Sequence, residues 1–367
     1  MKIIDSKTAK KYAGKTALVR IDLNIDPKLD LFRLGAILPT VNLLLKNKVK
    51  VVLLSHRGRP QKPDKENSLA IFSKLISKFI NEPVDFIVGY EMNGLRAAIL
   101  TSSARVVLVE NLRFFNGEEA NDPSFAKALA ECGDFYVNDA FAVSHRENAS
   151  VTQLPNFLPS FAGLNFAEEI KNLSGIMKAP KKPVVLIIGG AKISDKLGVI
   201  KNFWNKADAV LLGGGPANTA LEIFGFPMGK SITDAGAKLE FKDLAFSPKI
   251  YVPQDLEVST DRILDIGSKT TKEYVGIISK AGTIIWNGPM GWFENKKFRK
   301  GTEIIWKAVL KNKKAKIVIG GGETVISFSM LGFKHSKLGK NVFLSTGGGA
   351  MLQFLSGKEL PGLEALK

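Results

Sequence analysis

Short apolar runs alternate along this chain with segments of helical periodicity. In the first half, apolar runs predict buried strands at residues 17–23, 50–54, 105–109 and 135–138, and helical spacing predicts helices at 38–46, 68–80 (with a serine cap) and 125–131. Strands that alternate with helices are typical of a mostly parallel sheet covered on both faces. We therefore predict an α/β fold.

Polar and basic side chains follow all four of these predicted strands. They are Asp22 and Asn24, then His56, Arg57 and Arg59, then Glu110, Asn111 and Arg113, and finally Asp139, His145 and Arg146. In such sheets ligands gather outside the carboxyl ends of the strands, and arginine presents a planar fork that matches carboxylate and phosphate. The first half therefore predicts one anion-binding pocket.

The second half repeats the architecture, and glycines follow its predicted strands. Strands predicted at 184–188, 209–212, 283–286, 317–319 and 342–344 run into turns with glycine at 189–190, 213–215, 288, 320–322 and 347–349. Glycine lets the backbone approach a ligand closely, and a helix N-terminus behind it attracts phosphate. In the stretch 316–325, Glu323 follows three glycines and is suited to bind a metal ion that is also coordinated by the phosphate. Five such turns predict a nucleotide or polyphosphate site.

A run of prolines and lysines at 179–183 follows a predicted helix at 162–178. Because 367 residues are many for one hydrophobic core, we predict two domains with this helix as the connector. No apolar run is long enough for a membrane span, and the first residues lack the apolar core of a signal peptide. The single cysteine, Cys132, excludes a disulfide framework, suits a reducing cytosol and is expected to be a small buried residue.

The net charge of +17 is distributed unevenly. Residues 1–175 carry 23 Lys and Arg against 19 Asp and Glu, and residues 176–367 carry 29 against 16. Such a surplus favours either nucleic-acid binding or the steering of an anionic substrate. No basic run is interleaved with aromatic residues, and the lysines of 311–316 are expected in a solvated loop. We therefore predict no nucleic-acid partner.

The common short signatures of phosphate and hydrolytic enzymes are absent from the sequence. Residues 225–231 come within one residue of a Walker loop, no G-x-G-x-x-G follows a strand, and neither an H-R-D loop nor H-E-x-x-H occurs. An arginine-lined anion pocket and a glycine-lined phosphate site remain. That combination favours phosphoryl transfer between a nucleotide and a small anion, a reaction that depends mainly on positioning and charge stabilisation.

Eight motifs, in order, give the chain a resemblance to a known family. They are VRIDLN (19–24), SHRGRP (55–60), ENLRF (110–114), NDAF with HR (138–146), GGAKISDKLGVI (189–200), WNGPMGWFE (286–294), GGGET (320–324) and STGGGA (345–350). The chain resembles the phosphoglycerate kinase family, as a divergent and shortened member. This resemblance implies two Rossmann-like domains joined by a hinge helix, with the C-terminal tail returning to the N-terminal domain. The implied domain limits are 1–165 with 346–367, and 166–345.

The resemblance also implies an activity and its partners. The reaction is reversible phosphoryl transfer between 1,3-bisphosphoglycerate with ADP and 3-phosphoglycerate with ATP, in glycolysis or gluconeogenesis, by direct in-line transfer on domain closure. Mg²⁺ accompanies the nucleotide. A cytoplasmic monomer is expected, with neither nucleic acid nor membrane as partner. The alternative left open is a paralogue that binds ligand, transfers weakly and has an altered nucleotide preference.

Carried over by motif, the resemblance gives roles to individual residues. Phosphoglycerate would be held by Asp22, Asn24, Arg33, His56, Arg59, Arg113 and Arg146. Arg33, Lys196 and Gly348 would act on the transferring group. The nucleotide would be held by Lys192, Lys196, Gly213, Gly214, Asn287, Glu294, Gly321, Gly322, Glu323 and Thr324, with Glu323 at the metal.

The sequence departs from the family pattern at several positions. Glu323 stands where aspartate is usual, Asn148 replaces a histidine, Pro216 replaces a methionine and Ile263 replaces a glycine. The segment 253–267 is also shorter. Three of these changes fall around the expected base and ribose pocket, so they leave ATP or GTP open as the preferred nucleotide.

Overall fold

The structure is a computed structural model that describes residues 1–89 and 91–367, with the side chain of Asn93 left aside. The chain divides into two compact units, Met1–Ile170 with Glu359–Lys367 and Lys171–Lys358. The domain limits that the resemblance implies, at 165/166 and 345/346, stay a prediction. Among the helices of the described residues, none is long and apolar enough to cross a membrane.

The first unit contains a six-stranded sheet in which every pairing is parallel. Its strands are Thr16–Arg20 (β1), Lys50–Leu54 (β2), Val84–Ile87 (β3), Val106–Val109 (β4), Phe135–Asn138 (β5) and Ser160–Ala162 (β6), in the order β3-β4-β2-β1-β5-β6. Its helices are Ser6–Lys11 (α1), Leu31–Ala36 (α2), Leu38–Lys46 (α3), Ala70–Ile80 (α4), Met92–Thr101 (α5), Asn116–Glu119 (α6) and Pro123–Ala130 (α7). Leu164–Lys178 (α8) begins in this unit and continues into the second.

The core of the first unit surrounds its central strand. Val19 of β1 lies between Leu53 of β2 and Val137 of β5, and all three are fully buried. Phe72 and Ile76, on one side of α4, are fully buried in the same core. Continuous apolar strands form here because both faces of a parallel sheet are covered.

The second unit contains another parallel six-stranded sheet and a separate hairpin. Its strands are Val184–Ile188 (β7), Ala209–Leu212 (β8), Ile250–Tyr251 (β9), Leu256–Ser259 (β10), Arg262–Ile266 (β11), Thr283–Asn287 (β12), Lys316–Gly320 (β13) and Val342–Leu344 (β14). The sheet order is β14-β13-β12-β7-β8-β9, and β10 pairs antiparallel with β11. Its helices are Ser194–Phe203 (α9), Gly214–Ile223 (α10), Lys238–Ala245 (α11), Ser268–Lys280 (α12), Lys300–Lys311 (α13), Gly322–Met330 (α14) and Gly349–Leu355 (α15).

The α/β prediction is confirmed, with corrections at element ends. Helix α4 begins at Ala70 with Leu69 as its N-cap residue, so Ser68 lies one position earlier, where its hydroxyl accepts from the amide of Ala70 (3.2 Å) and donates to Glu110 Oε2 (2.7 Å). Helix α8 begins at Leu164, because Ala162 still belongs to β6. Cys132 is buried, and burial raises the pKa of its thiol to about 11.

The last residues of the chain, Glu359–Lys367, lie in the first unit, whereas residues 346–358 of the implied tail lie in the second. The chain ends in a short helix, Pro361–Glu364 (α16). The amide of Gly362 donates to the carbonyl of Ser144 (2.8 Å), and the Cα of this glycine faces Val151 so closely that a Cβ would lie 2.7 Å from that side chain. The last residues of the chain therefore pack against the segments that follow β5 in the first unit.

Replacing Asp139 by asparagine is expected to flatten the pH dependence of stability in the first unit. Asp139 follows β5 and accepts a hydrogen bond from the amide of Phe166 (3.0 Å) in the first turn of α8. Burial raises the pKa of this carboxyl to about 6 from 3.8. Because the folded chain holds this proton more tightly than the unfolded chain, protonated Asp139 stabilises the fold. This contribution to the free energy of unfolding is complete below the unfolded pKa of 3.8 and is lost as the pH rises through about 6.

The difference between the unfolded pKa of 3.8 and the folded pKa of about 6 corresponds to at most about 3 kcal/mol of the free energy of unfolding. Urea unfolding of wild type and Asp139→Asn across this range measures it, since asparagine keeps the acceptor but cannot ionise. We expect the free-energy difference between the two proteins to change between about pH 4 and pH 6.5. If the free energies of unfolding of the two proteins instead change in parallel with pH, Asp139 ionises in the folded chain as easily as in the unfolded chain.

Candidate active site

A basic pocket lies at the carboxyl end of the first sheet. His56 follows β2 and is 3% exposed, and Arg113 follows β4 and is 8% exposed. Burial lowers the pKa of His56 well below 6.5, and the charges of Arg20, Arg113 and Arg146 lower it further. These guanidinium groups therefore lie close enough to His56 to act on it. The structure brings three predicted side chains together, from the ends of β2, β4 and β5.

Asp22 and Arg33 form the second part of this pocket. The Arg33 Nη2 donates to Asp22 Oδ2, and Nη1 lies 3.4 Å from Asp30 Oδ2. Asp30 is also the N-cap of α2, because its Oδ1 accepts from the amide of Arg33 (3.2 Å). Burial would raise the pKa of Asp22, but the charge of Arg33 and smaller contributions from His56, the amide of Asn24 and Arg20 together hold the pKa below 3.8. The sequence 30–33 thus folds into a cap that aims its own arginine at the end of β1.

An asparagine holds the loops after β2 and β4 in place. Asn111 Oδ1 accepts from the amides of Arg57 (3.2 Å) and Arg113 (3.1 Å), and its Nδ2 donates to the carbonyl of Arg57 (2.7 Å). The Asn24 side chain accepts from the amide of Gly58 (3.0 Å). Four hydrogen bonds from these two asparagines thereby fix the backbone around the pocket, which preorganises it for an anion.

The remaining arginines of the pocket differ in exposure. Arg113 also forms an ion pair with Glu119 (3.1 Å) and donates to the carbonyl of Gly58. Arg146 is half-buried, whereas Arg59 is exposed. Asn148, which replaces the usual histidine, is buried and donates to the carbonyl of Glu118 (3.3 Å). This substitution therefore fills a structural position behind the pocket.

The second unit contains a cavity of about 680 Å³ at the carboxyl end of its sheet. Glycine turns, Glu294, Glu323 and a set of apolar side chains line it. The glycines are Gly190, Gly214 and Gly215, and the apolar residues include Leu256, Ile263, Met290, Trp292 and Phe293. An apolar space beside backbone amides is the form expected of a nucleotide site.

The glycine turns are hydrogen-bonded to one another. The amide of Gly215 donates to the carbonyl of Gly190 (2.8 Å), and that of Gly190 donates to Pro289 (2.8 Å). The amide of Gly214 donates to the carbonyl of Met290 (2.9 Å), and Gly213 packs against the same methionine. The ends of β7, β8 and β12 are thus joined by hydrogen bonds into one rigid surface that lines the cavity. We call the glycine turns 189–190, 213–215 and 288, together with the turn 320–322 after β13, the glycine floor.

The turn after β13 contains the glycines of the GGGET motif. Gly321 has φ of +98° and is the N-cap of α14, a conformation that side chains rarely adopt. The buried Asn287 donates to the carbonyl of Gly320 (2.9 Å), and Thr324 accepts from the amide of Gly288 (2.7 Å). Asn287 and Thr324 therefore hold the turns together. Gly322, which begins α14, is exposed.

Lys196 and Glu323 approach the same glycine. A Cβ on Gly190 would lie 3.7 Å from Glu323 Oε2 and 3.9 Å from Lys196 Nζ. Lys196 is 6% exposed, and its ammonium donates to the carbonyl of Lys192 (2.8 Å). Burial lowers its pKa, against the attraction of Asp195, Glu323 and Asp234. A poorly hydrated positive charge and an exposed carboxylate therefore face one point beside the cavity.

Two predicted residues lie at the periphery of the second unit's site. Lys192 is exposed and precedes α9, so it does not share a helical face with Lys196. Gly348 has φ of +48° and is the N-cap of α15, and a Cβ there would have no atom within 4 Å. The amide of the preceding Gly347 donates to Ser345 Oγ (3.0 Å).

The residues present fit a magnesium ion that is bound together with phosphate. Within residues 1–89 and 91–367, no three His, Cys, Asp or Glu side chains form a metal-binding group. Mg²⁺ at nucleotide sites is held by one or two carboxylates, phosphate oxygens and water. Glu323, exposed at the cavity and near Gly190, is a carboxylate of this kind.

Sequence reasoning missed two features of these sites. The first is Arg20, which is buried behind His56 and whose signal was a lone arginine at the end of an apolar run. The second is the hairpin β10–β11, which lies within the segment 253–267 and turns at Thr260 and Asp261. Ile263 of this hairpin lines the cavity, and its amide donates to Ser231 Oγ (2.9 Å).

Together these features define an α/β protein with an arginine-rich anion pocket in one unit and a glycine-floored cavity of the nucleotide type in the other. The model of the phosphoglycerate kinase family matches residues 7–358. Phosphoglycerate kinases from Dictyoglomus turgidum and Herpetosiphon aurantiacus are each 39% identical to the chain, over 96% and 97% of both chains. The chain belongs to the phosphoglycerate kinase family, and it is an enzyme of phosphoryl transfer in glycolysis.

Solved structures agree with this assignment. The phosphoglycerate kinase from Pyrococcus horikoshii matches with a TM-score of 0.86 and 31% identity, over 97% of this chain and 96% of that one. The enzyme from Coxiella burnetii matches with a TM-score of 0.78 and 33% identity, with the same coverage. The two parallel six-stranded sheets are thus the fold of this family, and the weakly active paralogue is not favoured.

Proposed function

We propose that the chain transfers a phosphoryl group reversibly between 1,3-bisphosphoglycerate with ADP and 3-phosphoglycerate with ATP. The transfer is direct and in line, from the nucleotide to an acceptor that is already an ionised carboxylate. No general base is required for such an acceptor. The residues of the chain therefore act by positioning the reactants and by stabilising charge.

In the first unit, the basic pocket holds the phosphoglycerate. Arg113 and Arg146 have the charge and geometry for its phosphate, with Arg59 at the exposed edge. His56 adds a hydrogen bond, and Asp22 and Asn24 accept from the hydroxyl group. Arg33, held in place by Asp22 and Asp30, extends towards the acceptor carboxylate and the migrating group.

In the second unit, the glycine floor holds the nucleotide phosphates. Gly213, Gly214, Gly321 and Gly322 let the backbone approach the phosphates, while Asn287 and Thr324 keep the turns in register. Lys192 adds a charge near the phosphates, and Glu294 accepts from the ribose. Lys196 neutralises the charge that develops on the phosphoryl oxygens, and the amide of Gly348 donates to the same group.

Glu323 is the residue proposed to hold magnesium with the nucleotide phosphates. When bound, the ion offsets the negative charge of the phosphate oxygens. The side chain of Glu323, which is longer than that of aspartate, reaches the cavity from the first turn of α14. The domain limits at 165/166 and 345/346, closure on both substrates, a monomeric state and a cytoplasmic location stay predictions from the resemblance.

The approach of Lys196 and Glu323 to Gly190, beside the cavity, is the observation that carries the proposal. A coupled assay with 3-phosphoglycerate and Mg-ATP tests it, and turnover is expected. Folded protein without turnover would refute the proposed reaction. GTP assayed beside ATP measures the preference that Ile263 and the shortened hairpin leave open.

Replacing Glu323 by glutamine is expected to weaken Mg-ADP binding about tenfold or more, because a carboxylate ligand is lost. Binding of ADP without magnesium should change less than about twofold, since the glycine floor is intact. Calorimetric titration with and without Mg²⁺ measures both values. Glu303→Gln, at an exposed ion pair with Lys307, is the control and should change neither. Equal weakening with and without the metal would remove Glu323 from the metal site.

A further inference from the structure

A buried arginine that the proposed function does not use lies directly behind His56. Arg20 is the last residue of β1 and is 1% exposed. Its Nε donates to Ser150 Oγ (2.9 Å), its Nη1 donates to the carbonyl of Ile21 (2.6 Å), and its Nη2 lies 3.2 Å from His56 Nδ1. Each nitrogen of this guanidinium therefore has a protein partner, and one of these partners is the histidine.

Glu118 fixes the same guanidinium from the side of Ser150. Its Oε1 lies 3.7 Å from Arg20 Nη2, and both side chains are 1% exposed. The carboxylate accepts from the hydroxyl (2.6 Å) and the amide (3.0 Å) of Ser150. A buried ion pair with its hydrogen bonds satisfied has one favoured arrangement. Arg20 is therefore held in one orientation towards His56.

The chemistry of arginine then decides the protonation of the imidazole. A guanidinium has donors only and stays charged in proteins, so Nη2 donates and His56 Nδ1 accepts. A neutral imidazole that accepts at Nδ1 carries its proton on Nε2. We propose that Arg20 is a positioning residue of the phosphoglycerate site, which keeps His56 as the neutral Nε2–H tautomer so that it donates to a substrate oxygen. This inference rests on the proposed function.

The surroundings of His56 favour the neutral form as well. Burial lowers its pKa well below 6.5, and Arg20, Arg113 and Arg146 lower it further, while Asp22 raises it. A doubly protonated ring would also direct the Nδ1 proton at the Arg20 donor. In a pocket with several arginines, His56 thus contributes a directed N–H without adding a further charge, and it does not remove a proton from the ligand.

The tautomer can be measured in the free protein, before any substrate is added. The chain has three histidines, so two-bond and three-bond ¹H–¹⁵N correlation spectra, with His56→Gln for assignment, identify both ring nitrogens of His56. We expect the proton on Nε2 and no titration of the ring between pH 8 and pH 6. A proton on Nδ1, or titration at the ordinary histidine value, would overturn the inference.

Two variants distinguish the effect of Arg20 on the His56 tautomer from that of Glu118. Glu118→Gln keeps the Arg20 donor, so the Nε2–H tautomer should persist. Arg20→Met with Glu118→Gln removes both charges together, so no buried charge is left unpaired. In this variant we expect a mixture of tautomers and a KM for 3-phosphoglycerate about tenfold higher, the cost of one hydrogen bond to a charged ligand.

The other kinetic constants distinguish positioning from general damage. The KM for ATP and kcat should stay within about twofold in the double variant, because the second unit is untouched. An unchanged tautomer in a folded double variant would overturn the role of Arg20. Absence of turnover in the wild type would refute the proposed function, whereas the tautomer is measured without substrate and decides the inference by itself.

Discussion

Replacing Lys196 by alanine is expected to lower kcat by on the order of a hundredfold or more. Its ammonium is 6% exposed, lies near Gly190 and is held by the carbonyl of Lys192. A charge that is already desolvated and fixed stabilises developing negative charge without reorganisation, and removal of one such group costs this much in other enzymes. Steady-state kinetics with saturating 3-phosphoglycerate and Mg-ATP measure the effect.

The matched control lies on the same helix. Lys201 of α9 is exposed and forms an ion pair with Glu240 (2.6 Å), so Lys201→Ala should leave kcat within about twofold. Thermal unfolding of both variants separates loss of catalysis from loss of fold. If folded Lys196→Ala protein keeps the wild-type kcat, Lys196 does not act on the transferring group.

The strands of the two sheet interiors could be predicted because their burial is complete. The interior strands β2, β5, β7 and β8 have the bounds that the apolar runs predict, and so does one edge strand, β14. The edge strand β3 was missed, since it pairs on one side and only Ile87 of its four residues is buried. β10 was missed for a similar reason, because its hairpin lies outside both six-stranded sheets. A strand gives its clearest signal, a continuous apolar run, where both of its faces are covered.

The two half-sites differ in how much of them the sequence could predict. The glycine floor is made by short local segments, each a strand end and a helix start, so residue type and order suffice. The cluster of Arg20, Glu118 and Ser150 joins residues that are 32 to 130 positions apart. A lone buried arginine has no periodic or spacing signal, so its connection to His56 is seen only in the fold.

Replacing Gly288 by alanine is expected to destabilise the second unit by about 3 kcal/mol or more. Its φ is +91°, and a Cβ would lie 2.2 Å from the carbonyl carbon and oxygen of Gly189 and 2.6 Å from the amide nitrogen of Gly190. These neighbours are backbone atoms, so no side chain can rotate away. The turn would have to open, and with it the hydrogen bond from Gly288 to Thr324 (2.7 Å) and the floor of the cavity.

Alanine substitutions at two other glycines of the same unit distinguish the cost of the positive φ from the cost of the steric clash at Gly288. Gly225 has φ of +86° with no atom within 4 Å of a Cβ, so Gly225→Ala should cost only about 1 kcal/mol. Gly322, in the first turn of α14, has neither strain nor neighbours, and alanine there should be neutral or slightly stabilising. Urea unfolding of the three variants measures the series. If Gly288→Ala costs no more than Gly225→Ala, the turns after β7 and β12 do not need their close contact, and the rigid floor assigned to the nucleotide phosphates would have to be abandoned.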